Sequence, residues 1–189
     1  MEHIYIGFAD TPGIFALLIR RFLKQRYIHV VISTDMKLDE AFSVGRRNPA
    51  IPFSAGFERE DKEKILRKYP KAYYRICSLE CTKVQKDQIK KHLYKDYQRR
   101  FQIHYAVLGL PFIAMGIPVC LKNQYTCSSY LAELLEEYGI LTFHKHFSLV
   151  TPKDFLEYPG MKKVFEGNLY EFTESISDYA MKRESAYER

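Results

Sequence analysis

Apolar residues at helical spacing mark one segment in the second half of the chain. They are Tyr130, Leu131, Leu134, Leu135 and Tyr138. This spacing predicts an amphipathic helix that ends at Gly139, a residue type that commonly terminates helices. Cys127 precedes Leu131 by four residues, so we expect its sulfur to face the buried side of the helix at its first turn.

The first fifty residues predict alternating strands and a helix. His3–Phe8 is rich in apolar and β-branched residues, typical of a strand, and Gly13–Lys24 repeats apolar residues at helical spacing. Tyr27–Ser33 predicts a second strand, and Met36–Val44 predicts its hairpin partner. The turn between them is assigned to Thr34–Asp35.

The middle of the chain predicts a loop, two helices and a strand. Arg46–Glu60 is rich in Gly, Pro, Asn and Ser and is interpreted as an irregular, ordered loop. A short helix is expected within Asp61–Lys71, and Tyr73–Leu79 alternates as a strand does. Thr82 followed by Gln85 has capping-box spacing and predicts the start of a longer helix.

Length and composition favour one α+β domain. The chain has 189 residues, of which 47% are hydrophobic, enough for a single core. Leu169–Thr173 is assigned to a last strand, and the polar residues 176–189 predict a C-terminal tail. The predicted domain therefore covers residues 1–175, with a small antiparallel sheet packed against helices.

One long uncharged run extends from Tyr105 to Leu121. Glycines and prolines interrupt it, so it does not predict a membrane-spanning helix. We interpret it as a buried helix and loop, with a wall that binds an acyl chain as the alternative. The N-terminus carries Glu2 where a secretion signal has basic residues, which predicts a cytoplasmic protein.

Charge and cysteine usage exclude several function classes. The net charge is +6, but the basic residues are scattered, so we expect no nucleic-acid partner. Four cysteines are too few for a disulfide-stapled module, and Cys77 and Cys81 have no second ligand pair for zinc. A reducing compartment and a protein without metal or organic cofactor are the expectations.

Cys127 is the candidate nucleophile, because the N-terminal end of a helix favours thiolate over thiol. Its partners come from the predicted hairpin. A two-residue turn would set His29 directly opposite Glu40, with Cβ atoms about 5 Å apart. A carboxylate there would orient the imidazole and leave its other nitrogen for the thiol. A longer turn would move Glu40 to the other face, and Asp39 and the alternative base His104 stay open.

These residues resemble a known family. The strand Tyr27–Ile32 carries His29, the acids Asp39–Glu40 follow, and Tyr125–Ser129 opens a helix with Cys-Ser-Ser. The pattern resembles the circularly permuted, papain-like branch of the NlpC-type cysteine hydrolases, in particular its YiiX-like group. The segment 42–57 further resembles uncharacterised bacterial members of that branch, and the likeness covers roughly residues 3–140.

The resemblance implies a papain-like fold and a catalytic triad. Cys127 would be the nucleophile, His29 the base and Glu40 the orienting residue, acting through a thioester acyl-enzyme. Relatives include peptidoglycan peptidases, amidases and lipid acyltransferases, so the substrate would be a small-molecule, peptide or lipid acyl compound. The expected function is thus a cysteine hydrolase or acyltransferase.

Two other functions stay open from the sequence. One is a non-catalytic domain of the same fold that holds an amino acid, peptide or lipid in its cleft. The other is a basic interaction module for nucleic acid or anionic lipid, whose binding would weaken steeply with salt.

Overall fold

The structure is a computed structural model, and it describes residues 1–10, 20–21, 25–47 and 55–175. Three predicted features lie wholly or largely outside these residues. They are the helix Gly13–Lys24, the middle of the loop Arg46–Glu60, and the polar tail 176–189.

The described strands form one sheet of eight members in the order β7-β6-β4-β3-β2-β1-β5-β8. Neighbouring strands are antiparallel except β6 and β7, which are parallel. The strands are β1 Glu2–Asp10, β2 His29–Ser33, β3 Ala41–Arg46, β4 Ala55–Glu60, β5 Tyr73–Cys81, β6 His104–Tyr105, β7 Gln124–Tyr125 and β8 Lys162–Asn168.

Helices flank the sheet. The α-helices are α1 Lys62–Lys68, α2 Lys83–Gln98, α3 Leu110–Ala114, α4 Cys127–Glu137 and α5 Pro152–Leu156. Short 3-10 turns occur at Arg100–Gln102, Val107–Gly109 and Phe147–Leu149, and residues 169–175 are helical. The described part is therefore α+β, as the sequence predicted, with a sheet larger than expected.

The main core lies between one face of the sheet and helices α2 and α4. Alternate residues of β1, Ile4, Ile6 and Phe8, are fully buried there. Phe57 of β4 stacks on Phe42 and contacts the ring of Tyr130 from α4, with centroids 5.8 and 5.0 Å apart. These aromatic contacts fix α4, and with it the start of that helix, against the sheet.

A smaller core covers the opposite face. Val31 and Ala41 of the central strands pack with Ile76, Leu169 and Phe172. Both faces of the central strands are consequently buried.

The predicted hairpin register is wrong. Ser33 pairs with Ala41 instead of Met36, so residues 34–40 form the connection. Asp35 stabilises this longer loop, because its carboxylate accepts hydrogen bonds from the amides of Asp39 and Glu40 at 3.1 and 2.8 Å. Leu38 adopts a positive φ of 57° within it. A pattern of apolar residues does not reveal such a side-chain-stabilised loop.

Two other assignments need correction. The end of the segment predicted as an irregular loop is strand β4, Ala55–Glu60, paired along its whole length with β3. The last strand is Lys162–Asn168, and residues 169–175, which include the predicted strand Leu169–Thr173, are helical. Leu169 and Phe172 are three residues apart and both buried, a spacing that also fits one helical face.

In the part of the chain that the structure describes, no helix is long and apolar enough to cross a membrane. The uncharged run forms 3-10 and α-helical turns between β6 and β7 instead.

Replacing Phe57 with Ala should lower the free energy of unfolding by about 3–5 kcal/mol, because the ring is fully buried between Phe42 and Tyr130. Urea unfolding measures the change. The control is Phe101→Ala, whose ring is 65% exposed and should cost about 1 kcal/mol or less. Equal losses in both variants would contradict this view of the core.

Candidate functional site

Cys127 is the first residue of helix α4, and local capping fixes its position. Thr126 is the N-cap, and its hydroxyl accepts a hydrogen bond from the amide of Ser129 at 3.1 Å. The Ser129 hydroxyl accepts in return from the amide of Thr126 at 2.9 Å, which completes a capping box. Strand β7 ends at Tyr125, so only Thr126 separates the sheet from Cys127.

The thiol faces the start of strand β2. Cys127 is 3% exposed, and its Sγ lies 3.9 Å from the carbonyl oxygen of Ile28, the residue that precedes His29. The neighbouring Ser128 hydroxyl donates to the carbonyl oxygen of Val150 at 2.6 Å and holds the start of the helix from the other side. The nucleophile candidate and the histidine strand therefore meet inside the fold.

His29 begins strand β2, and its ring contacts the carboxylate of Glu60. Its Nε2 lies 3.0 Å from Oε1 of Glu60, which leaves Nδ1 as the nitrogen available to the thiol. The ring also lies over Gly45 of β3. A Cβ at that position would stand 2.9 Å from Cε1 of His29, so the ring needs a glycine beneath it.

Glu60 reaches His29 across strand β3. It ends β4 and pairs with Ala41, and its carboxylate also accepts a hydrogen bond from the buried hydroxyl of Ser43. Ser43 and Gly45 lie between the two side chains on the same face of the sheet. The ring of His29 and the hydroxyl of Ser43 thus both bind the same oxygen, Oε1 of Glu60.

The electrostatics of the pair favour its charged form. Burial opposes protonation of His29, but hydrogen bonding with Cys127 and Glu60, and their charges, outweigh it and raise the pKa of His29 from 6.5 to about 10. Burial also opposes ionisation of Glu60, yet the hydrogen bonds from His29 and Ser43, with the charge of His29, keep its pKa below 4.5. An imidazolium beside a carboxylate is therefore the expected state at neutral pH.

The predicted contact between Glu40 and His29 is wrong. Glu40 lies in the loop before β3 and binds Lys90 and Tyr94 of helix α2, at 2.7 and 2.8 Å, and Thr34. The longer connection between β2 and β3 explains the error. The acid that contacts the His29 ring is Glu60, not the predicted Glu40.

The two alternatives left open by the sequence also lie elsewhere. Asp39 pairs with Lys62 at 2.7 Å, and its side chain is largely exposed. His104 is exposed on β6, where it pairs with Gln124. Neither residue lines the cleft next to Cys127 within the described part of the chain.

A narrow cleft reaches Cys127. Its volume is about 10 Å³, roughly the space of one water molecule. Helix α3 provides one wall and the segment before α5 the other. The lining residues are Ile28, Tyr105, Leu110, Ile113, Thr126, Cys127, Ser128, Val150, Thr151 and Pro152. Most of these side chains are apolar. Burial and the nearby charge of Cys127 raise the pKa of Tyr105, so its hydroxyl stays protonated.

Sequence reasoning missed Glu60 because it assigned β4 to a loop. One signal was present. Phe57 is an aromatic residue of the kind enriched in strands, and Phe57–Glu60 contains no glycine or proline. The glycine and proline residues upstream obscured that signal.

Comparison with known proteins returned no match, either to a protein-family model or to a curated protein sequence. Among the described residues, no three His, Cys, Asp or Glu side chains form a group that could hold a metal ion.

Replacing Glu60 with Gln should lower the free energy of unfolding in a pH-dependent way. The raised pKa of His29 contributes stability that is complete below pH 6.5 and is lost as pH rises through about 10. The lowered pKa of Glu60 contributes stability above pH 4.5 that is lost in acid. Both contributions are complete between pH 4.5 and pH 6.5. In that range the variant should lose the most free energy of unfolding, about 1.5–3 kcal/mol.

Urea unfolding across this pH range measures the effect. Glu40→Gln is the matched control, because Glu40 pairs with Lys90. The free energy of unfolding that this variant loses should stay the same between pH 6.5 and 10. A Glu60→Gln deficit that stays constant up to pH 10 would contradict the assigned pair.

Proposed function

We propose that this protein is a cysteine hydrolase or acyltransferase that forms a thioester acyl-enzyme. The observation that carries the proposal is the hydrogen bond between His29 and Glu60, formed where the strand meets the sulfur of Cys127. A thiol, an imidazole and a carboxylate in this order are the groups of a cysteine-nucleophile triad. Here Glu60 takes the orienting role.

The first step is attack by sulfur. His29, whose raised pKa keeps the ring protonated at neutral pH, begins the strand that faces the sulfur. The thiolate attacks the carbonyl carbon of an amide, ester or thioester, and the C–S bond forms as the carbonyl oxygen becomes negative. The imidazolium then gives its proton to the departing amine, alcohol or thiol, which leaves a thioester on Cys127.

The start of helix α4 supplies stabilisation for the oxyanion. Amide hydrogens in the first helical turn have no acceptor within the helix and point towards its N-terminus. The amide of Cys127 belongs to this turn and adjoins the reacting sulfur. One well-placed donor of this kind contributes about 10²–10³ in rate.

Deacylation uses the same groups. Neutral His29 takes a proton from water or from a second acceptor alcohol or amine, which attacks the thioester carbonyl. The thiolate leaves, and the imidazolium–thiolate pair is restored. Glu60 holds the ring and supports its positive charge throughout, without exchanging the proton itself.

Leu110, Ile113 and Val150 line the approach to Cys127, so the proposed acyl part of the substrate is apolar. The cleft holds only about 10 Å³, so binding of this part requires these side chains to move apart. The permuted papain-like architecture of the NlpC-type hydrolases remains part of this proposal. In support, the histidine strand precedes the cysteine helix along the chain, and α4 packs on the sheet that carries His29.

A second candidate is a binding domain that keeps the cleft without the chemistry. The observation that favours it is the low exposure of Cys127, 3%, which restricts the approach of a substrate carbonyl to the sulfur. In that case the cleft would hold an apolar ligand reversibly.

Labelling with iodoacetamide, a small electrophile, separates the two. The reaction at each cysteine is followed by mass spectrometry at neutral pH. Cys120 is exposed and serves as the internal reference, whereas burial raises the pKa of Cys77 and Cys81 and keeps them slow. We expect Cys127 to react faster than Cys120, and His29→Ala to lower its rate about 100-fold.

Variants of the two glutamates sharpen the test. Glu60→Gln should slow labelling of Cys127, whereas Glu40→Gln should leave it unchanged. Labelling of Cys127 no faster than that of Cys120, with no response to His29→Ala, would overturn the proposed enzyme and favour the binding domain.

A further inference from the structure

The chain between β6 and β7, residues 106–123, exposes apolar side chains next to the cleft. We refer to it as the apolar connection. The exposed side chains and their exposed fractions are Phe112 37%, Met115 61%, Ile117 46% and Leu121 45%. From Tyr105 to Leu121 the sequence has no charged residue. A concentration of exposed apolar side chains in one uncharged segment is unusual on a protein surface and indicates an interaction site.

The apolar connection is joined rigidly to the candidate nucleophile. Its two ends enter and leave the parallel pair β6–β7, where His104 aligns with Gln124 and Tyr105 with Tyr125. Cys127 follows β7 after a single residue. Leu110 and Ile113 of the same connection line the Cys127 cleft. Whatever binds the exposed side of this segment therefore lies beside the mouth of the cleft.

The charges nearest along the chain are positive. Between Asp96 and Glu133 the sequence contains no acidic residue. Of its basic residues, Arg99 pairs with Asp96 at 2.8 Å, so the proposal uses Arg100 and Lys122. The carbonyl oxygen of Asn123 accepts a hydrogen bond from the amide of His104, which brings Lys122 to the end of β6 that follows Arg100.

A second aromatic side chain extends this surface. Phe101 is 65% exposed, and the guanidinium groups of Arg100 and Arg47 lie 4.4 and 5.1 Å from its ring centroid. Both arginines pair with one carboxylate, that of Glu58, at 3.8 and 2.9 Å. Two guanidinium groups share one negative charge, so the surface around Phe101 keeps a positive balance.

We propose that the apolar connection inserts into the surface of a membrane that contains anionic lipids, and holds the Cys127 cleft at the lipid interface. Exposed apolar side chains would enter the boundary between headgroups and acyl chains, and Arg100 and Lys122 would meet lipid phosphates. In a dimer formed through the apolar connection, the positive side chains of the two copies would face each other. Charge repulsion therefore disfavours a second copy as the binding partner.

Vesicle flotation with the full chain tests the proposal. The vesicles contain phosphatidylcholine and phosphatidylglycerol in equal parts, and a second set contains phosphatidylcholine alone. We expect binding to the mixed vesicles and weaker binding to the neutral ones. Met115→Asp and Ile117→Asp should each reduce the bound fraction about tenfold, because both side chains are exposed and neither variant removes core packing.

Val84→Asp is the matched control. Val84 is 66% exposed on helix α2 and its replacement makes the same change in net charge, so vesicle binding should stay as in the wild type. Equal loss in all three variants, or no binding by the wild type, would overturn the proposal. So would a dimer seen by sedimentation equilibrium that Ile117→Asp dissociates while vesicle binding is absent.

The test is independent of the proposed chemistry. Cys127→Ala should bind the mixed vesicles as the wild type does, since Cys127 is 3% exposed and the proposed contact uses exposed side chains only. Iodoacetamide labelling of Cys127 in Met115→Asp should in turn be unchanged. Membrane docking and nucleophile activation can thus fail separately.

Discussion

The contact between His29 and Glu60 depends on three adjacent strands lying in one register. β3 lies between the strands that carry the two side chains, and it contributes Gly45 beneath the ring and the hydroxyl of Ser43 to the carboxylate. A shift of one residue in either pairing would turn these groups to opposite faces. The aromatic packing of Phe42 and Phe57 stabilises that register and fixes α4 on the sheet. The position of the site is therefore set by the register of all three strands.

Local signals in the sequence were sufficient where the structure is local. The helix at Cys127 follows from apolar spacing and from Thr126 and Ser129, which interact within a single turn. The capping box at Thr82 and the strand at Tyr73 depend equally on near neighbours, and the structure contains both. The α+β class follows because the predicted hairpin of consecutive strands favours an antiparallel sheet, against which the predicted helices pack.

Glu60 could not be found in this way, because its role depends on strand pairing across an intervening strand. The length of the loop between β2 and β3 is set by Asp35, whose carboxylate binds two backbone amides, and no apolar pattern encodes that. A two-residue turn places Glu40 opposite His29, whereas the connection in the structure spans residues 34–40. Closeness along the chain therefore did not identify the acid that contacts His29. That acid, Glu60, lies two strands away in the sheet.

The parallel alignment of β6 and β7 has a consequence for how this chain can vary. Antiparallel strands can be joined by two residues, but parallel neighbours require a crossover of about a dozen residues or more. The topology therefore requires a long connection shortly before the helix that begins at Cys127, whatever the sequence of that connection. Its length is a geometric necessity, whereas its lack of charge is not. Homologous chains would be free to change the chemical character of this connection while keeping the helix in place.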